Sequence, residues 1–286
     1  MPENTTNFIS AEKLNDLLNN GESIALVDTR FDLMQPQLGR EAYMKGHLPD
    51  AVYMPMEFDF SAPVGEHGGR HPLPDDKTFI NRLGQLGISP DKKIIIYDDT
   101  IPEFASRLWW MLKFLYGYTR VYLLEGGYQA WKETGFSVQT KIPSPLQVSD
   151  LSLEANTDSY YNGHSLNQKL GNNENIALLD TRAPERYNGE EELLDTMAGH
   201  IPGAINFHWE NAFDEYGKLL YEDLDRCVTD FAHYDEIVAY CGSGVTACAA
   251  ILALDEVGIV NIKLYPGSWS DWITYADLPK VLNQGK

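Results

Sequence analysis

The chain contains an internal duplication, and this constrains its fold more than any other feature. Four short motifs of the first half return in the same order in the second half. The pairs are IALVDTR (24–30) and IALLDTR (176–182), GHLPDA (46–51) and GHIPGA (199–204), IIIYD (94–98) and IVAYC (237–241), and GGYQAW (126–131) and GSWSDW (267–272). Because four ordered matches rarely arise by chance, the sequence predicts a duplicated domain of roughly 130 residues. A length of 286 residues has room for two such domains.

Each copy alternates short runs rich in Val and Ile with longer helical stretches. In the first copy the pattern predicts strands at 24–27, 52–54, 94–97 and 121–124, and helices at 11–19, 76–86 and 104–115. This rhythm is typical of an α/β domain whose mainly parallel sheet is flanked by helices on both faces. Two prolines interrupt the chain between the copies. We therefore expect a first domain at 1–140, a linker at 141–147 and a second domain at 148–286.

A cysteine at the end of a predicted strand is the strongest functional signal. Residues 236–240 read as a buried strand and residues 246–257 as a helix, so Cys241 lies on the turn between them. Glycines at 242 and 244 let the backbone bend sharply, so that its N–H groups can face inward beside the positive end of the helix. Such a position predicts a nucleophilic thiolate. The alternative is a small apolar cysteine packed in the turn.

Composition limits the partners and the compartment. The chain has 22 Lys and Arg against 42 Asp and Glu, a formal net charge of −20, which disfavours nucleic acid and anionic membranes as partners. Three cysteines do not form a disulfide framework, and no ligand cluster predicts a metal or an organic cofactor. Because the N-terminus lacks a secretory signal and no apolar run reaches membrane-spanning length, we expect a cytoplasmic protein, by default a monomer.

Two chemistries suit a thiolate surrounded by N–H donors, namely phosphoryl transfer and sulfur transfer. A cysteine phosphatase needs a guanidinium six positions after its cysteine, where this chain has Ala247, and no Arg or Lys occurs from 241 to 262. Without that clamp, the charge on a transferring phosphoryl group would be left unbalanced. The residues therefore favour sulfur transfer in two covalent steps through a persulfide on Cys241.

The loop CGSGVTA at 241–247 resembles the active-site loop of the rhodanese superfamily, in the form carried by its 3-mercaptopyruvate sulfurtransferases. The resemblance covers nearly the whole chain and implies two tandem rhodanese-like domains. It implies that Cys241 takes sulfur from a small donor and passes it to cyanide or a thiol, with thioredoxin among the candidate acceptors. The first domain has Asp98 in place of the cysteine, so we expect it to be catalytically silent and to close one side of the cleft. The resemblance assigns the sulfur cradle to Gly242, Ser243, Gly244, Val245 and Thr246.

The resemblance assigns donor binding to an arginine. Arg186 matches the family arginine that holds the anionic end of the donor. The neutral Gly242 and Ser243 suit 3-mercaptopyruvate, whereas thiosulfate-specific relatives carry basic residues there; thiosulfate stays the alternative donor, and a persulfide carrier without turnover the alternative function. A second family arginine, between Arg186 and the turn at 199–202, is missing here. We therefore expect donor anchoring either to be weaker or to be supplied by the first copy, where Arg70 and His71 are the candidates.

The resemblance also suggests supporting residues. His71 occupies a place similar to that of a family histidine that assists Ser243 with the help of an acidic residue, for which Glu57 and Asp59 are the candidates. The motif at 267–272 implies that Trp269 and Trp272 pack beneath the catalytic loop and that Asp271 fixes a neighbour by hydrogen bonds. The repeat predicts structural roles for His47 and His200, which recur in both copies. The resemblance places Arg182 at a structural position that ties loops near the site.

Overall fold

The chain folds into two compact units that do not follow the order of the sequence strictly. The computed structural model describes residues 6–144, 147–148, 151–172 and 174–282. The first unit comprises Met1–Ala62, Pro74–Asn156 and Glu215–Lys218, and the second comprises Pro63–Leu73, Thr157–Asp214 and Leu219–Lys286. Each half of the sequence therefore contributes one short segment to the unit built mainly by the other half.

The units differ from the predicted domain ranges in three respects. The segment at 63–73, expected in the first domain, belongs to the second unit, and residues 215–218, expected in the second domain, belong to the first unit. The main division falls after residue 156 instead of within 141–147. Residues 145 and 146 of the predicted linker lie outside the described residues, as do residues 1–5, where a secretory signal would begin.

The first unit is built on a parallel sheet that, within the described residues, has five strands in the order β1-β5-β4-β2-β3. Its strands are β1 (Phe8–Ile9), β2 (Ile24–Asp28), β3 (Val52–Tyr53), β4 (Lys93–Tyr97) and β5 (Val121–Leu124). Its helices are α1 (Ala11–Asn19), α2 (Gln37–Lys45), α3 (Met56–Asp59), α4 (Asp76–Gln85), α5 (Glu103–Trp110), continued by a π-helical turn (Met111–Leu115), and α6 (Gly127–Glu133).

The second unit repeats this plan with a parallel sheet of four described strands in the order β7-β6-β8-β9. The strands are β6 (Ile176–Asp180), β7 (Ile205–Asn206), β8 (Glu236–Tyr240) and β9 (Ile262–Leu264). The helices are α7 (Gly163–Gly171), α8 (Pro184–Tyr187), α9 (Tyr221–Phe231), α10 (Ala247–Glu256) and α11 (Ser268–Trp272), with 3₁₀ turns at Thr157–Ser159 and Trp209–Ala212. The predicted fold class, two α/β domains with parallel sheets flanked by helices, is confirmed.

The duplication extends to the buried polar contacts. Arg30 donates to Asp28 at 2.6 Å and to the carbonyl of Gly46 at 2.7 Å, and Arg182 donates to Asp180 and to the carbonyl of Gly199, both at 2.6 Å. Each arginine ties the end of a strand, β2 or β6, to the Gly-His turn that follows it in the sequence. The histidines of those turns repeat as well: the Nδ1 atoms of His47 and His200 each lie 2.8 Å from a carbonyl oxygen, of Tyr43 and Tyr187 respectively. These contacts fit the structural roles that we expected for both histidines and for Arg182.

Helix α10 supports the catalytic loop because it is apolar on every face. The residues from Ala247 to Leu254 are all buried. A helix without a polar face is stable only inside a core, so its first turn holds the preceding loop in place. Cys248 is buried in that turn and its thiol donates to the carbonyl of Gly244 at 3.4 Å.

In the first unit, Asp98 stands where the second unit has its cysteine. Its buried carboxylate accepts the N–H groups of Phe104 and Ala105 at 2.7 and 2.9 Å and the hydroxyl of Thr29 at 2.6 Å. These bonds satisfy donors at the start of α5, as a helix cap does. Burial is the largest influence and raises the pKa of Asp98 to about 6. This position therefore anchors a helix instead of presenting a nucleophile.

The Asp98→Asn variant should be more stable than the wild type at pH 8. The pKa of this carboxyl rises from 3.8 to about 6 on folding, so its contribution to stability is complete below pH 3.8 and is lost as the pH rises through 6. Asparagine does not titrate, so the variant does not lose stability in this way as the pH rises. Its oxygen can accept the two N–H groups, and its amide can donate to Thr29, whose hydroxyl then donates to the carbonyl of Tyr97 at 3.0 Å. We expect a gain of ~1–3 kcal/mol in the free energy of unfolding at pH 8, since one pKa unit corresponds to ~1.4 kcal/mol.

Urea unfolding at pH 4 and pH 8 tests this expectation, because the gain should shrink towards pH 4. The exposed neighbour Asp99 supplies the matched control, since Asp99→Asn removes the same charge one residue away. Equal effects of the two substitutions, or a less stable Asp98→Asn protein at pH 8, would contradict the assignment.

Candidate active site

The loop after β8 holds the carbonyl oxygens of its first two residues away from the cysteine sulfur. The carbonyl of Cys241 accepts the N–H of Trp269 at 3.0 Å, and the carbonyl of Gly242 accepts the N–H of Ser270 at 2.9 Å. The N–H of Cys241 donates to the hydroxyl of Ser268 at 3.0 Å. Helix α11 therefore fixes the loop from below, and Trp269 and Trp272 are fully buried beneath it.

The turn places an N–H group against the sulfur. The N–H of Gly244 points at the sulfur of Cys241 with a distance of 3.1 Å. Gly244 has a φ of +74°, and a Cβ there would collide with the carbonyl of Pro266, so glycine is required. Cys241, Ser243 and Val245 are 2%, 6% and 2% exposed, and Thr246 precedes the first turn of α10. The five predicted cradle residues thus form one tight turn around a shielded thiol.

Two guanidinium groups lie over this turn. A Cβ built on Gly242 would stand 2.8 Å from Nη2 of Arg70 and 3.3 Å from both Nη atoms of Arg186. A side chain at position 242 would therefore push the guanidinium groups away from the loop. The structure therefore brings together the two arginines that the sequence suggested for donor binding, although one belongs to the segment 63–73 and the other to α8. No basic residue lies in the loop itself, but two reach it from elsewhere in the second unit.

Asp271 anchors the segment that carries Arg70. Its buried carboxylate accepts the N–H of Gly68 at 2.7 Å and the hydroxyl of Tyr265 at 2.7 Å. The N–H of Arg70 donates to the hydroxyl of Ser270 at 3.1 Å. These bonds join the segment to α11, the same helix that holds the catalytic loop, so Arg70 is fixed relative to Cys241.

His71 extends the same segment towards the loop. Its Nδ1 lies 2.8 Å from the hydroxyl oxygen of Ser243, as the resemblance suggested. The acidic partner of His71, for which Glu57 and Asp59 are the candidates, stays a prediction. Glu57 is exposed on α3, and both oxygens of Asp59 accept from Arg82, at 2.8 and 3.0 Å. Burial raises the pKa of Asp59, opposed by those bonds to Arg82.

Two carboxylates that the sequence did not single out meet the arginines. Nη2 of Arg186 lies 2.8 Å from Glu192 and 3.1 Å from Asp195, and Asp195 also forms an ion pair with Arg70. Burial alone would raise the pKa of Glu192, but the N–H of Leu194 and the guanidinium of Arg186 hold that pKa below its usual range. In the sequence, the stretch 188–197 lacks the family's second arginine. Its acidic residues at 192 and 195, just before the Gly-His turn, are the sequence feature from which these two carboxylates could have been predicted.

Contacts with Trp269 and Arg182 fix the position of the acidic stretch 188–197. The indole N–H of Trp269 donates to the carbonyl of Met197 at 2.7 Å, and the guanidinium of Arg182 lies 5.3 Å from the centre of the same indole. Arg182 also approaches Glu192 at 3.4 Å. Burial would lower the pKa of Arg182, but its hydrogen bond with Asp180 raises that pKa above its ordinary value. Arg182 therefore acts as a permanent cation under the site.

Within the described residues, no group of three or more His, Cys, Asp or Glu side chains is arranged to hold a metal ion. No described helix combines the length and the apolar character needed to cross a membrane.

Comparison with known proteins agrees with this geometry. The model of the rhodanese-like domain matches residues 10–134 and 163–275, and the chain belongs to that family. Among individual relatives, the chain is 38% identical over 272 residues to a Pseudomonas aeruginosa protein named as a probable 3-mercaptopyruvate sulfurtransferase, covering 93% of this chain and 95% of the relative. It is 29% identical over 276 residues to the thiosulfate sulfurtransferase of Rattus norvegicus, covering 93% and 90%.

A solved structure shows the same architecture. The 3-mercaptopyruvate sulfurtransferase from Leishmania major superimposes with a TM-score of 0.82 at 27% sequence identity, covering 95% of this chain and 75% of that protein. The predicted family is therefore confirmed. The names of the relatives include both candidate donors, so the choice of donor depends on the geometry of the site.

Proposed function

We propose that the chain is a sulfurtransferase that takes a sulfur atom from 3-mercaptopyruvate and passes it to a thiol or to cyanide through a persulfide on Cys241. The observation that carries the proposal is the pairing of two guanidinium groups above Gly242 with a thiol that faces the N–H of Gly244. A donor with a carboxylate at one end and a sulfur at the other fits this arrangement. Family membership supports the same class of reaction.

The first step breaks a carbon–sulfur bond. The thiolate of Cys241 attacks the donor sulfur, a sulfur–sulfur bond forms, and the electron pair of the breaking bond passes to the three-carbon fragment as an enolate. A proton converts the enolate to pyruvate. Holding the carboxylate on Arg70 and Arg186 places the reacting sulfur near the thiolate, and such positioning supplies much of the rate enhancement.

Ser243 and His71 are suited to serve the proton transfer. Their side chains lie 2.8 Å apart and form a short relay beside the nucleophile. The hydroxyl of Ser243 can donate to the carbonyl oxygen of the donor, where negative charge develops, and His71 can restore that proton. The second step needs no such relay: an acceptor thiolate attacks the outer sulfur, the sulfur–sulfur bond breaks, and Cys241 returns as a thiolate.

Initial rates with 3-mercaptopyruvate and with thiosulfate, measured with the same thiol acceptor, test the proposal. Because the loop residues Gly242 and Ser243 are neutral, we expect kcat/KM for 3-mercaptopyruvate to exceed that for thiosulfate by roughly tenfold or more, which is ~1.4 kcal/mol of transition-state binding. A higher value for thiosulfate would instead identify a thiosulfate:cyanide sulfurtransferase. No turnover with either donor, despite persulfide transfer from a partner protein, would identify a carrier.

Several finer expectations belong to this proposal. The silent role of the first repeat fits the use of Asp98 as a helix anchor. A cytoplasmic location, a monomeric state and the use of thioredoxin as acceptor stay predictions. The predicted domain ranges, 1–140 and 148–286, likewise stay predictions.

A further inference from the structure

Asp195 occupies the position between the two arginines of the proposed donor site. One oxygen pairs with Nη1 of Arg70, and the other lies 3.1 Å from Nη2 of Arg186. Its side chain is 3% exposed, whereas those of Arg70 and Arg186 are 28% and 21% exposed. The carboxylate is therefore the shielded member of the cluster, and the guanidinium groups are the members that a small molecule can reach.

The surrounding charges balance. Three guanidinium groups and three carboxylates form one connected cluster of ion pairs within the second unit. Its members are Arg70, Arg182, Arg186, Asp180, Glu192 and Asp195. With all six ionised the cluster has no net charge, so donor binding depends on local N–H and guanidinium donors and not on a surplus of positive charge.

We propose that Asp195 determines donor specificity by charge, favouring a donor with a single negative charge over one with two. This inference rests on the proposed function and adds to it the residue that discriminates between donor classes. A dianion such as thiosulfate brings one more negative charge towards the buried carboxylate than 3-mercaptopyruvate does. Solvent screens a charge poorly when it is this well buried, so the repulsion remains effective.

The contacts of residues 192–197 fit a role of Asp195 in discriminating between donors. Glu192 accepts the N–H groups of Leu194 and Asp195, each at 3.0 Å, and thereby fixes the backbone that carries Asp195. The carbonyl of Met197 is held by Trp269. Asp195 is thus a preorganised carboxylate, able to discriminate between donors without moving.

The substitution Asp195→Asn removes the charge at nearly constant volume. We expect the ratio of kcat/KM for thiosulfate to kcat/KM for 3-mercaptopyruvate to rise about tenfold, because one unit charge at contact distance in a partly buried site is worth at least ~1.4 kcal/mol. The matched control is Glu191→Gln, which changes the net charge equally on the same stretch but at an exposed side chain. The control should leave the ratio unchanged.

A binding measurement repeats the test without turnover. In a Cys241→Ser background, isothermal calorimetry compares sulfate, a dianion, with pyruvate, a monoanion. Asp195→Asn should strengthen sulfate binding about tenfold relative to pyruvate. The Asp195→Ala variant is measured in parallel, so that the result does not depend on how one amide side chain settles between two guanidinium groups.

The outcomes separate the two proposals. If both donors are used but the ratio and the relative binding stay unchanged in Asp195→Asn and Asp195→Ala, Asp195 does not discriminate and the inference is overturned. If the wild type transfers sulfur from neither donor, the proposed function fails, whereas the sulfate and pyruvate measurements still report on Asp195.

Discussion

The Cys241→Ser protein should transfer no sulfur from 3-mercaptopyruvate, with kcat/KM reduced by at least ~1,000-fold, a typical loss for a covalent nucleophile. A serine hydroxyl beside the N–H of Gly244 stays protonated near neutral pH, and oxygen cannot carry the sulfur as a persulfide. Intact-mass measurement after mixing with donor in the absence of acceptor gives the direct readout. The wild type should gain the mass of one sulfur atom, and the variant none.

Cys227 supplies the control for this experiment. It is partly exposed on α9, and burial together with nearby aspartates raises the pKa of its thiol. Cys227→Ser should therefore keep both the rate and the mass gain. A sulfur adduct that persists in Cys241→Ser and disappears in Cys227→Ser would place the chemistry elsewhere and remove the basis of the proposed function.

Much of the fold could be predicted because the periodicity is strong and the copies support each other. Strand β5, helix α1 and strand β8 begin and end where the pattern indicated. Helices α2 and α6 were missed because their apolar positions are sparse and each contains or follows glycines. The predicted helix 104–115 changes at Met111 from an α-helical to a π-helical turn, a shift in hydrogen bonding that residue types do not encode.

The catalytic loop was readable from sequence because its residues are contiguous. Cys241 with its neighbouring glycines needs only a strand before it and a helix after it. The link to Arg70 and His71 is different, because it depends on bonds from Gly68 and Arg70 backbone groups to α11. Backbone donors carry no sequence signature, so only the resemblance suggested those residues. The ion pair between Asp59 and Arg82 was not predicted from the sequence.

The acidic stretch shows why local sequence underdetermines a site. A run of Glu and Asp in a chain of net charge −20 is expected to be solvated. Glu192 and Asp195 are nevertheless almost fully buried, because the arginines and Trp269 hold them down. Cys241 is itself only 2% exposed, and the two guanidinium groups lie over its neighbour Gly242.

The second large effect is expected when an arginine of the proposed donor site is removed. Arg186→Ala should raise KM for 3-mercaptopyruvate about 100-fold, because losing a charge-assisted contact to a partly buried carboxylate costs ~2–5 kcal/mol. Transfer from a persulfide already formed to a thiol should keep its rate, since that step does not involve the donor carboxylate. Single-turnover measurements of each half-reaction separate the two effects. Arg226→Ala, at an exposed position on α9, removes the same charge and should change neither.

A double-mutant cycle then tests whether Arg70 and Arg186 hold one carboxylate jointly. Both guanidinium groups approach Gly242 and both pair with Asp195, so each orients the group that the other binds. Removing either one should already abolish bidentate binding of the donor. The combined loss in Arg70→Ala/Arg186→Ala should therefore be smaller than the sum of the single losses, with a coupling of ~0.5–3 kcal/mol. Strict additivity would mean that the two arginines act on separate groups, and unchanged donor kinetics in Arg186→Ala would exclude that residue from the donor site.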